Sequence, residues 1–202
     1  MEVKDNKNDL PLRHYGELFA GMDPVSVSSR TGIAYADGAF TTRLLNREVR
    51  VTWPEMEAVF AETGALLRPN AKILLARVLT GGALTEDTGK RISYADLPWG
   101  ETYLTQFKGR CISRLAYGFA NVPEKFAAAC EAIGGKPVEA NTPSYELEFL
   151  PGLIVRLSIW PAEEEFPPAA QFLFSSNFPL AFSAEDVAYV GDVIIDAMKG
   201  KL

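Results

Sequence analysis

The sequence predicts an α+β fold: a single domain in which an N-terminal β-meander and a C-terminal antiparallel sheet pack against four or five helices. Two observations predict it. Segments with alternating apolar and polar residues form two separate groups, within 33–53 and 145–174, and segments with helical spacing lie between and after them. Runs of strands separated by helical blocks are typical of α+β folds. We expect the domain at residues 11–202, behind a flexible tail at 1–10.

Composition argues against several classes of function. The chain has 202 residues, of which 48% are hydrophobic and 11% aromatic, as in ordinary globular proteins. A formal net charge of −6 and the lack of a basic cluster argue against a nucleic-acid partner. No apolar run is long enough to span a membrane, and the polar start shows no secretory signal. We therefore expect a cytoplasmic protein.

Cysteine usage predicts neither a metal centre nor a cofactor. Cys111 and Cys130 are far apart and match no metal-ligand spacing and no disulfide framework. Cys111 lies in an apolar helical stripe and Cys130 in an alanine-rich segment, where free cysteines usually behave as small hydrophobic residues. A reactive role for Cys111 would need positive charge nearby, which only Arg110 and Arg114 could supply.

The first third of the chain predicts two short helices and the meander. Apolar residues recur at helical spacing over 12–22, and Asp23 followed by Pro24 predicts the start of a second helix that ends at Gly32. Strands are predicted at 33–35, 40–44 and 48–53, with tight turns at 37–38 and 46–47. Residues 54–68 fit either a helix or a further strand, and both interpretations stay open.

The central part is predicted to be mainly helical. A helix over 70–79 is followed by a Gly- and Thr-rich connection with a short strand at 91–94, and then by the longest helix, at 101–119. The apolar stripe of that helix comprises Leu104, Phe107, Cys111, Leu115 and Phe119. Asn121 and Glu124 resemble a capping box and predict the start of the next helix.

The last third predicts the second sheet and a closing helix. Strands are predicted at 145–149, 153–160 and 171–174. Ser183 with Asp186 predicts a capping box at the start of the closing helix. The residues of this helix expected to face inward are Val187, Val190, Ile194, Ala197 and Met198.

Three consecutive carboxylates and three prolines lie in the linker before the last strand. Glu163 and Glu165 could bind a cation or act as general acid and base; adjacent side chains on an extended segment point to opposite faces, so only these two could converge. Alternatively, the linker is a solvated turn that keeps a strand edge from pairing. We favour the turn and keep Glu163 and Glu165 as the candidate catalytic residues.

An arginine pair lies on the longest predicted helix. Arg110 and Arg114 are four residues apart, so they share a face and could clamp a carboxylate or phosphate. They could equally pair with Glu146, Glu148 or the acidic linker, and we favour such pairing because exposed arginines usually find local carboxylates. Both remain candidate ligand-binding residues.

An aromatic cluster precedes the same helix. Tyr94, Trp99 and Tyr103 flank the segment Leu97-Pro98-Trp99-Gly100. Aromatic side chains beside a helix N-terminus could form the lip of a ligand pocket, because free backbone amides there favour anions. A hydrophobic plug of the core is the favoured alternative. The three aromatic residues complete the set of candidate ligand-binding residues.

Four segments also carry a family resemblance. They are DP at 23–24 with TGIAY at 31–35, ISYADLPWG at 92–100, EEFPPAA at 164–170 with FLF at 172–174, and SAEDV at 183–187. In these segments the chain resembles the uncharacterised domain-of-unknown-function family 3786, found mainly in anaerobic bacteria and archaea. The resemblance implies a single-domain cytoplasmic protein. Some relatives are joined to an iron–sulfur cluster domain with four cysteines, which this chain lacks, so it implies no cluster here. Family members often carry an acidic residue where this chain has Ser175.

Three functional hypotheses follow. The leading one is a non-catalytic cytoplasmic accessory or small-ligand-binding domain, because no known catalytic signature is present; the resemblance to an anaerobe family implies a partner in redox or one-carbon metabolism. The second is an enzyme of unfamiliar type that uses Glu163 or Glu165 with Arg110 and Arg114. The third is a protein-interaction module that forms a homodimer. A ligand-binding domain predicts a largely apolar cavity near Trp99 and Tyr103.

Overall fold

A computed structural model describes residues 6–202 and confirms a single α+β domain with two antiparallel sheets. The described residues form seven helices rather than four or five. The helices are α1 (Asn6–Ala20), α2 (Pro24–Thr31), α3 (Pro69–Thr80), α4 (100–120), α5 (Pro123–Ala132), α6 (Phe178–Ala181) and α7 (Ala184–Met198). The predicted number was too low partly because the four-residue α6 is too short to show a periodic pattern.

Helix α2 has the predicted ends, whereas α1 extends further toward the N-terminus than the predicted helix at 12–22. Helix α1 starts at Asn6, so it includes part of the expected tail at 1–10, while residues 1–5 lie outside the described residues. Asp23 caps α2 by accepting the N–H of Ser26, and Gly32 ends it in the left-handed conformation. The predicted start and end of α2 are therefore confirmed.

The N-terminal sheet is a meander of four strands in chain order. They are β1 (Ala34–Ala36), β2 (Ala39–Leu44), β3 (Arg47–Thr52) and β4 (Ala58–Phe60). Because Leu44 pairs with Arg47, the turn lies at Leu45-Asn46, one residue earlier than predicted. The N–H of Leu45 donates to the carbonyl oxygen of Phe149, which joins this sheet to the second one. Strand β4 also decides the open question at 54–68 in favour of a strand.

The C-terminal sheet has the strand order β5-β9-β8-β7-β6. Its strands are β5 (Arg91–Ser93), β6 (Lys136–Pro137), β7 (Ser144–Leu150), β8 (Leu153–Trp160) and β9 (Ala169–Ser175). Alternate residues of the central strand β8, from Leu153 to Ile159, are fully buried, and Arg156 points to the other face. One face of this sheet therefore forms part of the core.

Helix α4 packs against that buried face. The predicted apolar stripe is confirmed, since Phe107, Cys111 and Leu115 are fully buried. The helix is not regular: α-helical segments alternate with π-helical ones. The segments are Gly100–Phe107 and Ser113–Leu115 (α-helical), and Lys108–Ile112 and Ala116–Ala120 (π-helical). Each π segment inserts wider turns that apolar spacing alone does not reveal.

The predicted capping box of α5 is wrong. Helix α5 begins at Pro123, with Val122 at the N-cap and no side-chain cap. The side chain of Asn121 instead accepts a hydrogen bond of 2.9 Å from the backbone N–H of Ala162. Asn121 therefore attaches the acidic linker to the α4–α5 loop rather than capping the helix.

The closing helix α7 is buried on nearly all sides. The capping box of Ser183 and Asp186 is confirmed. Twelve of the fifteen residues of α7 are buried, including Asp186 and Asp192. Helix α7 comes so close to α4 that a side chain at Gly191 would place its Cβ 2.6 Å from the sulfur of Cys111. The prediction of a single inward face was therefore too narrow.

The close approach of α4 and α7 makes a testable prediction. We expect Gly191→Ala to lower the free energy of unfolding by about 2 kcal/mol, because overpacking a dense core forces neighbours apart. In a Cys111→Ala background the same change should cost less than half as much, since the sulfur is gone. Urea denaturation of the four proteins measures both effects. An equal cost in the two backgrounds would show that the sulfur is not the limiting contact.

Candidate functional site

A pocket of about 950 Å³ opens where several helix ends meet. Its walls come from α1, the end of α3, the segment before α4 with the first turn of α4, α6 and the start of α7. The lining residues include Tyr15, Leu18, Arg77, Trp99, Tyr103, Leu180 and Asp186. We call this site the helix-end pocket. Its volume lies at the upper end of the range of small-molecule sites, about 300–1,000 Å³.

The wall of the helix-end pocket includes several exposed apolar side chains. Trp99 is 80% exposed, Leu180 56% and Leu18 47%. Large apolar side chains at such exposure are individually ordinary, but a concave group of them marks a binding surface. Trp99 and Tyr103 both line this pocket. The ligand-binding hypothesis predicted a cavity near these two residues.

Backbone geometry holds Trp99 outward. Trp99 has φ of +66°, an uncommon left-handed conformation for a bulky residue. At Gly100, any Cβ would lie 2.0 Å from the carbonyl oxygen of Tyr94, so only glycine fits there. The chain can therefore fold back tightly over Tyr94 before α4 begins. Strain of this kind in the backbone is concentrated at functional sites.

The polar part of the pocket is an ion pair between two helices. Nε of Arg77 in α3 lies 3.0 Å from Oδ1 of Asp186 in α7. The other carboxylate oxygen, Oδ2, accepts the N–H of Ser183 at 3.1 Å and its hydroxyl at 2.7 Å. The guanidinium of Arg77 also lies over the ring of Tyr15, 4.7 Å from the centroid. Contacts from α7 and α1 thus fix this arginine at the pocket wall.

A second arginine shapes the pocket from behind. Arg30 in α2 donates to the carbonyl oxygens of Val78, Leu79 and Gly82 at the end of α3. The last carbonyls of a helix lack partners within the helix, and a cation there also interacts well with the helix dipole. Burial lowers the pKa of Arg30. Because Gly82 lines the pocket, Arg30 positions one of its walls.

Tyr94 lies behind the pocket rather than in it. Its ring is buried and stacks on Phe107, with centroids 3.9 Å apart. Its hydroxyl donates to the carbonyl oxygen of Ala184 at 2.7 Å. Burial raises the pKa of Tyr94 to about 12, so this hydroxyl remains a donor. Tyr94 therefore supports the first turn of α7. Of the three aromatic residues, only Trp99 and Tyr103 line the pocket.

Arg110 and Arg114 lie on a different face and pair with α7. Arg110 forms an ion pair with Asp192, and its guanidinium lies over the ring of Tyr189. Arg114 contacts Asp192 at 2.6 Å and Asp196 at 2.8 Å. Burial alone would lower the pKa of Arg110, but the hydrogen bond that Arg110 donates to Asp192, together with the charge of that carboxylate, outweighs burial and raises the pKa. Pairing with carboxylates was the favoured interpretation, yet the partners come from α7.

The partners proposed for those arginines are already engaged on the outer face of the C-terminal sheet. Glu146 accepts from Arg91 at 2.8 Å and from Arg156 at 3.0 Å, and Glu148 pairs with Arg43. Burial would raise the pKa of Glu146, but the two arginine hydrogen bonds outweigh it and lower the pKa. Since Arg110 and Arg114 lie on a helix against the opposite face of the sheet, they cannot compete for these carboxylates.

The acidic linker is an exposed turn. Glu163, Glu164 and Glu165 are all exposed, and the backbone of Glu163 pairs with that of Phe166 in both directions, at 2.9 and 3.2 Å. Among the described residues, none of these three carboxylates forms an ion pair. The turn itself agrees with the favoured interpretation. The residues Glu163 and Glu165 do not line the helix-end pocket.

Both cysteines are buried. Cys111 and Cys130 are fully buried in the core, and the thiol of Cys111 lies 3.4 Å from the carbonyl oxygen of Ala188. Burial raises the pKa of each thiol to about 12. Thiolate is the nucleophilic form, so both side chains stay protonated and unreactive near neutral pH.

Several pocket residues were not anticipated from the sequence. Tyr15, Arg77, Leu180 and Asp186 line the pocket, and none of the four was a candidate site residue. One signal was present: Arg77 is the only charged residue between Ile73 and Thr80, in the last turn of a largely buried helix. A lone charge in such a segment needs a partner.

Two features are absent from residues 6–202. In that part of the chain, no helix is both long and apolar enough to cross a bilayer. Within the same residues, no three His, Cys, Asp or Glu side chains gather in a way that could hold a metal ion.

Comparison with known proteins gives one result. A family model described as "Domain of unknown function (DUF3786)" matches residues 23–197, which is most of the chain. Helix α1, which contributes Tyr15 and Leu18 to the pocket, precedes the matched segment. No curated protein and no solved structure matches the chain.

Cysteine burial predicts a dependence of stability on pH. A thiol whose folded pKa is raised stabilises the fold fully below its unfolded pKa, and this contribution is lost as the pH rises toward 12. With an unfolded thiol pKa of about 8.5, each cysteine should cost about 2 kcal/mol of stability between pH 8 and pH 10. Urea denaturation at both pH values should show a smaller decline for Cys111→Ala/Cys130→Ala than for the wild type. Equal declines would argue against buried thiols, as would labelling of the native protein at pH 7 by Ellman's reagent.

The role of Arg30 predicts a loss of stability. Arg30→Ala should lower the free energy of unfolding by about 2–3 kcal/mol, because charged hydrogen bonds to the end of α3 are lost and carbonyls stay unpaired. Arg50→Ala is the matched control, since Arg50 is exposed on β3 and should change stability by less than about 0.5 kcal/mol. Thermal and urea denaturation measure both. Similar small effects for the two variants would contradict the assignment.

Proposed function

Since the chain belongs to the family described as Domain of unknown function (DUF3786), whose description gives no activity, we propose a function from the helix-end pocket. The protein binds a small, largely apolar molecule there, as a non-catalytic cytoplasmic accessory or ligand-binding domain. The observation that carries the proposal is the gathering of Trp99, Leu180 and Leu18, all about half exposed or more, around one concave site. Burying such side chains against a ligand removes apolar area from water and favours binding.

The rigidity of the pocket supports binding of a defined molecule. The walls are helix ends fixed by specific contacts: Arg30 on the end of α3, Tyr94 on the first turn of α7 and Asp186 between the two helices. A preformed site loses less conformational entropy when a ligand enters, so the apolar contacts contribute more fully to affinity. Small-molecule sites of this kind combine an apolar wall with a few fixed polar groups.

Binding without catalysis is the better-supported form of the proposal. Catalysis would need a general base or nucleophile within reach of the ligand. Asp186 is the buried carboxylate of the pocket, and both of its oxygens already have partners in Ser183 and Arg77. The buried, protonated thiols of Cys111 and Cys130 suit a reducing compartment such as the cytoplasm.

The proposal is tested with a neutral fluorescent probe. N-phenyl-1-naphthylamine is apolar and fluoresces when it enters an apolar site. We expect saturable binding to the wild type and at least about tenfold weaker binding to Trp99→Ala, because the largest apolar contact is removed. Trp160→Ala is the matched control: Trp160 is 41% exposed but lies outside the helix-end pocket, so its loss should leave affinity unchanged.

Other outcomes of that titration are also informative. No saturable binding, or an equal loss in the two tryptophan variants, would overturn the helix-end pocket as the binding site. Light scattering on the same samples measures the molar mass. If the wild type is a dimer and Trp99→Ala a monomer, the exposed apolar group is a homodimer contact instead, as the interaction hypothesis expects.

A further inference from the structure

Arg77 is held in place by its neighbours, but its hydrogen-bond donors are not used by them. It is fixed by Asp186 on one side and by the ring of Tyr15 on the other. Despite the 3.0 Å separation from Asp186 Oδ1, its Nε is buried without a hydrogen-bond partner among the described residues. The guanidinium as a whole donates no hydrogen bond to those residues, although the group carries five N–H donors.

The unused donors reach the pocket. The side chain of Arg77 is 36% exposed, and Arg77 lines the helix-end pocket. The buried nitrogen of this side chain is Nε, which faces Asp186, so the donors open to a ligand are the two terminal nitrogens. The two terminal nitrogens form a planar fork that matches the two oxygens of a carboxylate. The site therefore has room for an acceptor next to an apolar wall.

The opposite charge is a weaker fit for a ligand. Asp186 is 4% exposed, and its oxygens already receive the N–H and hydroxyl of Ser183 and the ion pair with Arg77. Glu185 is exposed and can turn to solvent. A cationic group in the interior would meet Arg77 without gaining a free buried carboxylate. The carboxylate of Asp186 is therefore buried against Arg77, whereas the guanidinium of Arg77 is partly exposed to the pocket.

We propose that the ligand of the helix-end pocket carries an oxyanion, such as a carboxylate or a sulfonate, on an apolar body, and that Arg77 binds this group. This inference rests on the proposed function, because it assigns the chemistry of the same pocket. The apolar body lies against Trp99 and Leu180, and the oxyanion accepts from the terminal nitrogens of Arg77. Asp186 and Tyr15 keep the guanidinium in place, so little side-chain entropy is lost on binding.

Two probes that share an aromatic skeleton test the inference. 1-Anilinonaphthalene-8-sulfonate carries an oxyanion, and N-phenyl-1-naphthylamine is the same skeleton without it. We expect Arg77→Gln to weaken binding of the sulfonate probe about tenfold or more, and binding of the neutral probe less than twofold. Arg43→Gln removes the same charge at an exposed site outside the pocket and should change neither affinity.

A conservative variant guards against a folding defect. Arg77→Lys keeps the charge and the partner of Asp186 but lacks the fork, so it should fold like the wild type and still lose part of the preference for the sulfonate probe. An equal effect of Arg77→Gln on the two probes, or no effect on either, would overturn the oxyanion assignment while the tryptophan result keeps the pocket. Failure of the neutral probe to bind the wild type would overturn both.

Discussion

The burial of helix α7 is the constraint on which most of the structure depends. A helix that is covered on nearly all sides cannot leave its aspartates unpaired, because an uncompensated buried charge costs several kcal/mol, on the order of 3–5. Each aspartate that α7 directs at a neighbour meets an arginine: Asp186 meets Arg77 of α3, and Asp192 meets Arg110 and Arg114 of α4. These pairs fix how α3 and α4 lie against α7, in addition to the apolar contacts.

The same arrangement builds the helix-end pocket. The first turn of α7 is held by its own capping box, by Arg77 from α3 and by the hydroxyl of Tyr94. The end of α3 is held in turn by Arg30. Sites carried on helix ends that are fixed in this way keep their side chains in place better than sites on free loops. The pocket is therefore a consequence of packing α7 in the centre, and Trp99 is its one strained, outward-facing part.

Local patterns predicted the fold better than the site. The capping box of Ser183, the ends of α2 and the apolar stripe of α4 are encoded within a few residues, so the sequence predicts them correctly. Partner choice is not local. Arg110 and Asp192 are 82 residues apart in the chain, and no periodicity links them. Trp99 and Tyr103 became candidates because they lie close together in the sequence, whereas Arg77 was missed because its partner lies on another helix.

Saturation of donors separates the arginines of α3 and α4. Both helices place arginines against aspartates of α7, and charge alone does not distinguish them. Arg114 donates to Asp192 and Asp196 at once, so its fork is already occupied by the protein. Arg77 lies 3.0 Å from a carboxylate oxygen of Asp186, yet no hydrogen bond uses its donors among the described residues, and it faces a cavity. The arrangement of Arg114 stabilises packing between helices. The arrangement of Arg77 leaves a fixed cation whose N–H donors face solvent, and recognition of an anion requires such donors.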